Sequence, residues 1–343
     1  MQIVHDSIIY SLQKVGGISS YWANLAKRIE VEVELVYPGH EENIAYEKRS
    51  EARLASSRAL ERFRDVLCDE VEDGLFHSSY YRIAKGHAVL NITTLHDLIY
   101  EKFRKDAAGR LHILQKKRAI DKSSGVIFVS GSTENDFREY FPKAKCLTKV
   151  IYNGVSDDYF PIASSRKGEF VVFVGSRQRY KNFALAAKAV AYFRDISLAV
   201  VGGGVFNYQE KQLIADLGMQ GRVEHYLGLP NTDINRLLNE AVCLLYPSSY
   251  EGFGIPVVEA MAAGCPVICS RIPALVEVAG DSAIFFDHSS PGSLVDALGE
   301  MFRHDQADLV TRGIARAKLF SWDRTAKETL AFYEEVANGS IPS

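Results

Sequence analysis

Two carboxylates, Glu251 and Glu259, are separated by seven intervening residues around a glycine- and proline-containing turn, in the string "EGFGIPVVE". Carboxylates accept hydrogen bonds from hydroxyl groups, and the unpaired N–H groups at a helix start favour negative charge. The run "AVCLLYPS" (241–248) predicts a buried strand ending just ahead of Glu251, and Pro256 suits a helix's first turn because its missing N–H needs no partner there. Gly264 followed by Pro266 predicts the helix end. That leaves 252–255 as an exposed turn offering the amides of Phe253, Gly254 and Ile255, with Glu259 one helical turn further on. A strand–helix connection with a capping acid is the plainer reading of the same residues.

A second constellation is "GSRQRYKNF", where Arg177, Arg179 and Lys181 crowd a loop between the strand 170–174 and a helix beginning near Asn182. A diphosphate carries about two negative charges, and an arginine fork with a lysine is apt for neutralising them. A solvated basic turn is the alternative. The first half of the chain adds Gly16 and Gly17 in "VGGIS", which permit close backbone approach, and His96 with Asp97 at a strand end. It also adds Ser130 and Ser132, with Ser132 read as a helix N-cap. A plain turn, a packing histidine and simple capping compete with the functional readings. The stretch 101–123 holds eight Lys or Arg against three acids, either a solvated helix face or a surface for anionic lipid. "VVGGG" fails as a dinucleotide fingerprint, since Asn207 stands where the third glycine is required, which disfavours an NAD(P) oxidoreductase. No acidic or histidine cluster has metal-ligand spacing and no D-x-D pair occurs, so no metal is expected.

Elements must position these groups. Six apolar runs in each half (2–5, 31–37, 75–78, 89–97, 125–130, 149–155; then 170–176, 198–204, 223–228, 241–248, 266–270, 283–287) alternate with helical patterns. That order makes βαβ units and parallel sheets. At 343 residues two domains are expected, 1–155 and 156–321, the boundary lying in the Gly-, Ser- and Pro-bearing 153–170 and a last helix (322–336) able to pack back on the first domain. Ligands of such sheets bind beyond the carboxyl ends of the strands, so two of these domains would face each other across a cleft. The net charge of −3 makes no case for nucleic acid. Five scattered cysteines without a CxxC pair suit a reducing cytoplasm, and no run is long and apolar enough to span a bilayer.

The string "EGFGIPVVEAMAAGCPVICS" resembles the E-x7-E signature of retaining glycosyltransferases of the GT-B fold, family 4. The resemblance extends through "VIYNGV", "FVVFVGSRQRYKN", "VVGGG" and "SRIPALVEVAGDSAIFF", nearly all of the second half. It implies that Glu251 and the amides of Phe253, Gly254 and Ile255 contact a donor sugar or its phosphate, and that Glu259 holds the ribose. It further implies that Lys181 with Arg177 or Arg179 binds the diphosphate, that Gly16 and Gly17 approach the phosphates, and that His96 lines the sugar pocket. Glu251, His96 and Lys181 are thereby the expected catalytic set. The implied reaction is metal-independent, cofactor-free hexose transfer from a nucleotide sugar to a saccharide or lipid-linked acceptor in bacterial surface-polysaccharide synthesis, as in mannosyltransferases that make lipopolysaccharide. GDP-mannose is favoured among donors; UDP- and dTDP-sugars, a nucleotide-sugar 2-epimerase and a non-catalytic binding protein stay open. A cytoplasmic protein touching the inner membrane face through 101–123 is the implied location.

Overall fold

The computed structural model describes every residue except 1, 15, 56–59, 68–72, 87, 105, 164–167 and 340–343. Cys68, Val15 of the glycine turn, Lys105 of the basic stretch and part of the expected linker therefore lie outside the described residues. By internal contact the chain forms two units, Met1–Gly154 with Trp322–Ser343, and Val155–Ser321.

In chain order the first unit contains β1 (Gln2–Asp6), α1 (Ile9–Leu12), α2 (Gly17–Ala26), β2 (Val33–Val36), β3 (Ala52–Leu54), β4 (Val66–Leu67), β5 (Asp73–Ser78), β6 (Ala84–Lys85), β7 (Ala88–Leu95), α3 (Ile99–Phe103), α4 (Ala107–Asp121), β8 (Gly125–Phe128), α5 (Gly131–Tyr140) and β9 (Leu147–Val150). The second contains β10 (Phe170–Val174), α6 (Phe183–Ala191), β11 (Ser197–Val201), α7 (Tyr208–Asp216), β12 (Val223–Tyr226), α8 (Asn231–Glu240), β13 (Leu244–Tyr246), α9 (Ile255–Ala262), β14 (Val267–Ser270), α10 (Pro273–Ala279), β15 (Ile284–Phe286), α11 (Pro291–Arg303) and α12 (Ala307–Ala317). Helix α13 (Trp322–Ala337) returns to the first unit.

The first unit's main sheet runs β3-β2-β1-β5-β7-β8-β9, with β4 and β6 paired separately; the second unit's sheet runs β12-β11-β10-β13-β14-β15. Every described strand pairing is parallel. Parallel strands covered on both faces need apolar residues at every position. Accordingly β8, β13 and β14 are buried throughout. Both units are the doubly wound, Rossmann-like sheets read from the alternation of apolar runs and helices. In the second, strand order reverses between β10 and β13, where Val172 is registered with Leu244. In open parallel sheets, ligands bind beyond the carboxyl ends of the strands at such a reversal.

Three details differ from the sequence reading. Ser130, not Ser132, caps α5: its extended backbone precedes Gly131 and its Oγ accepts from the Thr133 N–H at 3.0 Å. The edge strand β3 and the β4–β6 pair have no counterpart among the apolar runs. The turn at 252–255 is not exposed, since Gly252, Phe253 and Gly254 are buried.

Helix α13 is built into the first unit's core. Phe332, Tyr333 and Val336 pack with Leu75, Ile92 and Ile127 of the sheet. The Tyr333 hydroxyl lies 2.5 Å from His77 Nδ1 and 3.2 Å from His5 Nε2, and Thr325 donates to the Tyr152 carbonyl at 2.7 Å. Gly125 is fixed by this contact, because a Cβ there would lie 2.8 Å from Val336 Cγ2.

Candidate functional site

The loops that follow β10 and β13 are sewn together. A single 3-10 turn, Arg179–Lys181, is ended by Asn182, whose φ of 53° directs the chain into α6. Asn182 Nδ2 donates to the Pro247 carbonyl at 2.9 Å. The Tyr180 carbonyl accepts from Ser249 twice, from its N–H at 2.7 Å and from its Oγ at 3.1 Å.

These ties bring Lys181 onto Glu251, with Nζ 2.6 Å from Oε1 and only about a tenth of either side chain exposed. Lys181 also donates to the Tyr246 hydroxyl at 2.9 Å and lies 5.0 Å above that ring. Tyr246 ends β13 and is hydrogen-bonded to Glu251; burial first, then the Glu251 charge and hydrogen bond, drives its phenol far above the ordinary tyrosine range. The arrangement is an ammonium held between a carboxylate and a phenol, at the strand ends flanking the reversal of the sheet. An anion that engages the ammonium competes with Glu251 and releases the carboxylate to accept from hydroxyl groups.

Gly254 closes the approach to α9. Its φ is +101°, and a Cβ there would sit 2.5 Å from Leu275 Cδ2. Phe253 packs its ring edge-on against Phe320 at 5.6 Å. Ile255 begins α9 and Pro256 follows in the first turn, as the sequence predicts. Glu259, one turn on, is hydrogen-bonded to the Tyr159 hydroxyl. Loss of solvent around its carboxyl, with the nearby Asp158 charge, raises its pKa to about 7.

Arg177 departs from its expected place on a diphosphate. Its Nε donates to Glu210 at 2.9 Å, Nη1 to the Gly202 carbonyl at 2.9 Å, and Nη2 to the Gly204 and Val205 carbonyls at 2.8 and 3.0 Å. The guanidinium stacks on Phe206 at 4.5 Å. The three left-handed glycines of "VVGGG" thus fold around an arginine, which braces β10 to the loop after β11. Arg179, two residues away, is exposed.

The remaining candidates belong to the first unit. Gly17 opens α2, and Gly16 has φ 170°, an extended conformation any residue adopts; its carbonyl accepts from Ser19 Oγ at 2.9 Å. His96 follows β7 and meets the Tyr21 ring edge-on at 4.9 Å. Burial lowers its pKa to about 4, assisted by Lys116 and opposed by Asp97, and its Nε2 has no hydrogen-bond partner among the described residues.

The basic stretch is largely neutralised. Lys116 is fully buried on Glu101 at 2.9 Å, and Lys102, Arg104, Lys117 and Arg118 pair with Asp136, Asp106, Asp121 and Asp65. What α4 shows to solvent is as much apolar as basic, with Leu111 48% and Leu114 63% exposed.

Sequence reasoning missed Tyr246, Tyr159 and two buried hydroxyls, Ser248 and Ser270 Oγ, that lack hydrogen-bond partners among the described residues. A signal existed for three of them: like Glu251, they close or follow β13 and β14, where sheet topology places ligands. Among the described residues no group of three or more His, Cys, Asp or Glu side chains is placed to hold a metal ion. No helix among them is long and apolar enough to cross a membrane.

Residues 156–318 match the family described as "Glycosyl transferases group 1", and residues 15–159 match "Glycosyltransferase Family 4". The chain is 25% identical over 268 residues to the O-antigen chain mannosyltransferase B of Escherichia coli, covering 71% of this chain and 70% of that protein. It is 30% identical over 230 residues to the MMP alpha-(1->4)-mannosyltransferase of Mycolicibacterium hassiacum, covering 64% of this chain and 56% of that protein. Among solved structures, Anabaena HepE in complex with UDP-glucose superposes with a TM-score of 0.74 at 18% identity, covering 98% of this chain and 100% of that one.

Proposed function

Because the chain belongs to the glycosyltransferases of group 1 and family 4, with mannosyltransferases of glycoconjugate synthesis among its relatives, we propose that it transfers a hexose from a nucleotide diphosphate sugar with retention of anomeric configuration. The acceptor is a saccharide or a lipid-linked saccharide. The observation that carries this reading is the Lys181–Glu251 pair at the strand-order reversal of the second unit.

As the bond from the anomeric carbon to phosphate breaks, charge accumulates on the departing diphosphate while the ring becomes oxocarbenium-like. Lys181 stabilises the first charge from a fixed position, and the helix start at Gly254–Ile255 adds to it. Glu251, released from Lys181, orients the sugar hydroxyls and favours the cationic ring. The acceptor oxygen attacks from the face the phosphate leaves, forming the new glycosidic bond, and its proton passes to the phosphate oxygen. No electrons are transferred, and the proposal includes neither metal nor organic cofactor. Glu259, ionised, accepts from the ribose. In the first unit His96, neutral at pH 7, is proposed to hydrogen-bond a substrate hydroxyl, with Gly16 and Gly17 as phosphate contacts.

The names of the E. coli and Mycolicibacterium relatives support mannose, and with it GDP-mannose; the UDP-glucose in HepE supports a uridine donor as the second reading. A thermal-shift panel of GDP, UDP and dTDP with their sugars decides between them. A true donor at 100 times its Kd stabilises by about 2.7 kcal/mol. Turnover lost in Glu251→Ala with nucleotide binding retained supports an enzyme, and a silent panel overturns the reading. For the acceptor side, Leu111 and Leu114 on α4, beside the exposed Arg110, are proposed to rest on an anionic bilayer surface.

A further inference from the structure

The first unit holds a polar cavity of about 300 Å³ between the C-terminal half of α2 (Ala23, Ala26), Tyr10 and the segment 45–51. Along α2 this is about 13 Å from the glycine turn at the helix head, at 1.5 Å per residue.

Glu34, in the middle of β2 and 1% exposed, lines the cavity. Its Oε1 accepts from Ser7 Oγ at 2.6 Å, but Oε2 has no hydrogen-bond partner among the described residues. Opposite it, Arg49 Nη1 is also buried without a hydrogen-bond partner, 3.8 Å from Oε2. That separation is beyond hydrogen-bond reach. An acceptor and a donor, both withdrawn from solvent and just too far apart to satisfy each other, are the two complements of one hydroxyl group, which donates to the carboxylate and accepts from the guanidinium.

Buried polar groups are almost always paired, so the two unsatisfied atoms mark a place for something other than the described side chains. A bridging water takes up about 30 Å³. The cavity is several times larger, at the small end of the range for small-molecule sites. Its charges balance, Lys27, Lys48 and Arg49 against Glu34, Glu47 and Glu51, and Lys27 is already 2.6 Å from Glu47. A net-charged ligand therefore finds no field to draw it in. The alanines and Tyr10 supply apolar wall beside the polar pair, as the C–H face of a sugar ring requires.

We propose that this cavity is an accessory binding site for a neutral, hydroxyl-rich ligand of monosaccharide size, with Glu34 and Arg49 as its hydroxyl partners. It is a second site of the protein and does not depend on the donor chemistry assigned to Lys181 and Glu251.

Calorimetric titration of the full chain with the methyl α-glycosides of mannose, glucose and galactose tests it, in the presence of saturating GDP or UDP to occupy the nucleotide site. Binding of at least one glycoside at one per chain is expected. Glu34→Gln, which keeps the shape and the Ser7 contact, weakens it tenfold or more, and Ala23→Phe, which fills the cavity from its rim, abolishes it. Both variants keep the unfolding midpoint and nucleotide affinity of the parent; should Glu34→Gln fail to fold, Ala23→Phe decides alone. The proposal is overturned if no glycoside binds, if binding survives Ala23→Phe, if inorganic phosphate or glycine binds in preference, or if a crystal soaked with glycoside shows only ordered water between Glu34 and Arg49.

Discussion

Two basic segments of this chain end in opposite states. The stretch 101–123 carries eight cations, and the structure pairs Lys102, Arg104, Lys116, Lys117 and Arg118 with carboxylates, burying Lys116 completely. The turn 177–181 carries three, of which Arg177 is locked onto backbone carbonyls, Arg179 is exposed, and Lys181 reaches the site through Glu251. Cation density along a sequence is thus a poor guide to cation availability. What decides it is whether the partner is a permanent neighbour or a group that a ligand can displace.

The contrast can be broken by mutation. Lys116→Ala leaves the buried Glu101 carboxylate uncompensated and is expected to destabilise the protein by about 3–5 kcal/mol, read as a lowered urea midpoint. An unchanged midpoint removes Lys116 from the structural class. Lys181→Ala is expected to lower kcat/KM by about 10²–10³. A variant that turns over normally refutes the role given to that ammonium. Arg177→Ala sharpens the difference between neighbours in one turn, costing about 2–3 kcal/mol of stability through orphaned carbonyls while donor affinity per folded molecule holds. Proportionate loss of donor affinity in the folded fraction shows instead that Arg177 binds the ligand.

Two smaller effects follow. Below about pH 7 the Glu259 carboxyl is mostly protonated and is a much weaker acceptor for a ribose hydroxyl. Donor affinity is expected to rise about tenfold from pH 6 to 8, following the ionised fraction, and Glu259→Gln flattens the profile. The same raised pKa has a stability sign: the folded protein holds a proton the unfolded chain releases above its ordinary carboxylate pKa. Stability therefore falls as pH climbs from about 4.5 to about 7. A donor affinity that stays flat from about pH 6 to about pH 8 in the parent protein removes Glu259 from the nucleotide contacts. Smallest of all, Leu114→Glu is expected to reduce sedimentation with phosphatidylglycerol vesicles a few-fold, and equal sedimentation discards α4 as a membrane face.

Much of the scaffold was legible because buried parallel strands are apolar at every position, so β8, β10 and β14 announce themselves as continuous runs. β3 does not, since a three-residue edge strand "ARL" with partly exposed side chains has no run to show. Of the site, the spacing of Glu251 and Glu259 and the lysine before Asn182 were readable, because strand–turn–helix chemistry is local. The fate of Arg177 was not. It depends on carbonyls 25 to 28 residues downstream, presented by glycines that read only as a failed fingerprint. Tyr246 was hidden for a related reason: inside an apolar run an aromatic reads as core, and only the stitching of 180–182 to 247–249 gives its hydroxyl a lysine to hold.

The chain leaves its first unit at Gly154 and re-enters it only at Trp322. During synthesis the seven-stranded sheet emerges from the ribosome first yet waits, at 5–20 residues per second, roughly ten to thirty seconds for the helix that covers Leu75, Ile92 and Ile127. The second unit, encoded without interruption, has its whole sequence available before the first does. A nascent chain stalled ahead of Trp322 therefore presents an uncovered apolar sheet and a histidine pair awaiting Tyr333, the kind of surface that chaperones and proteases survey.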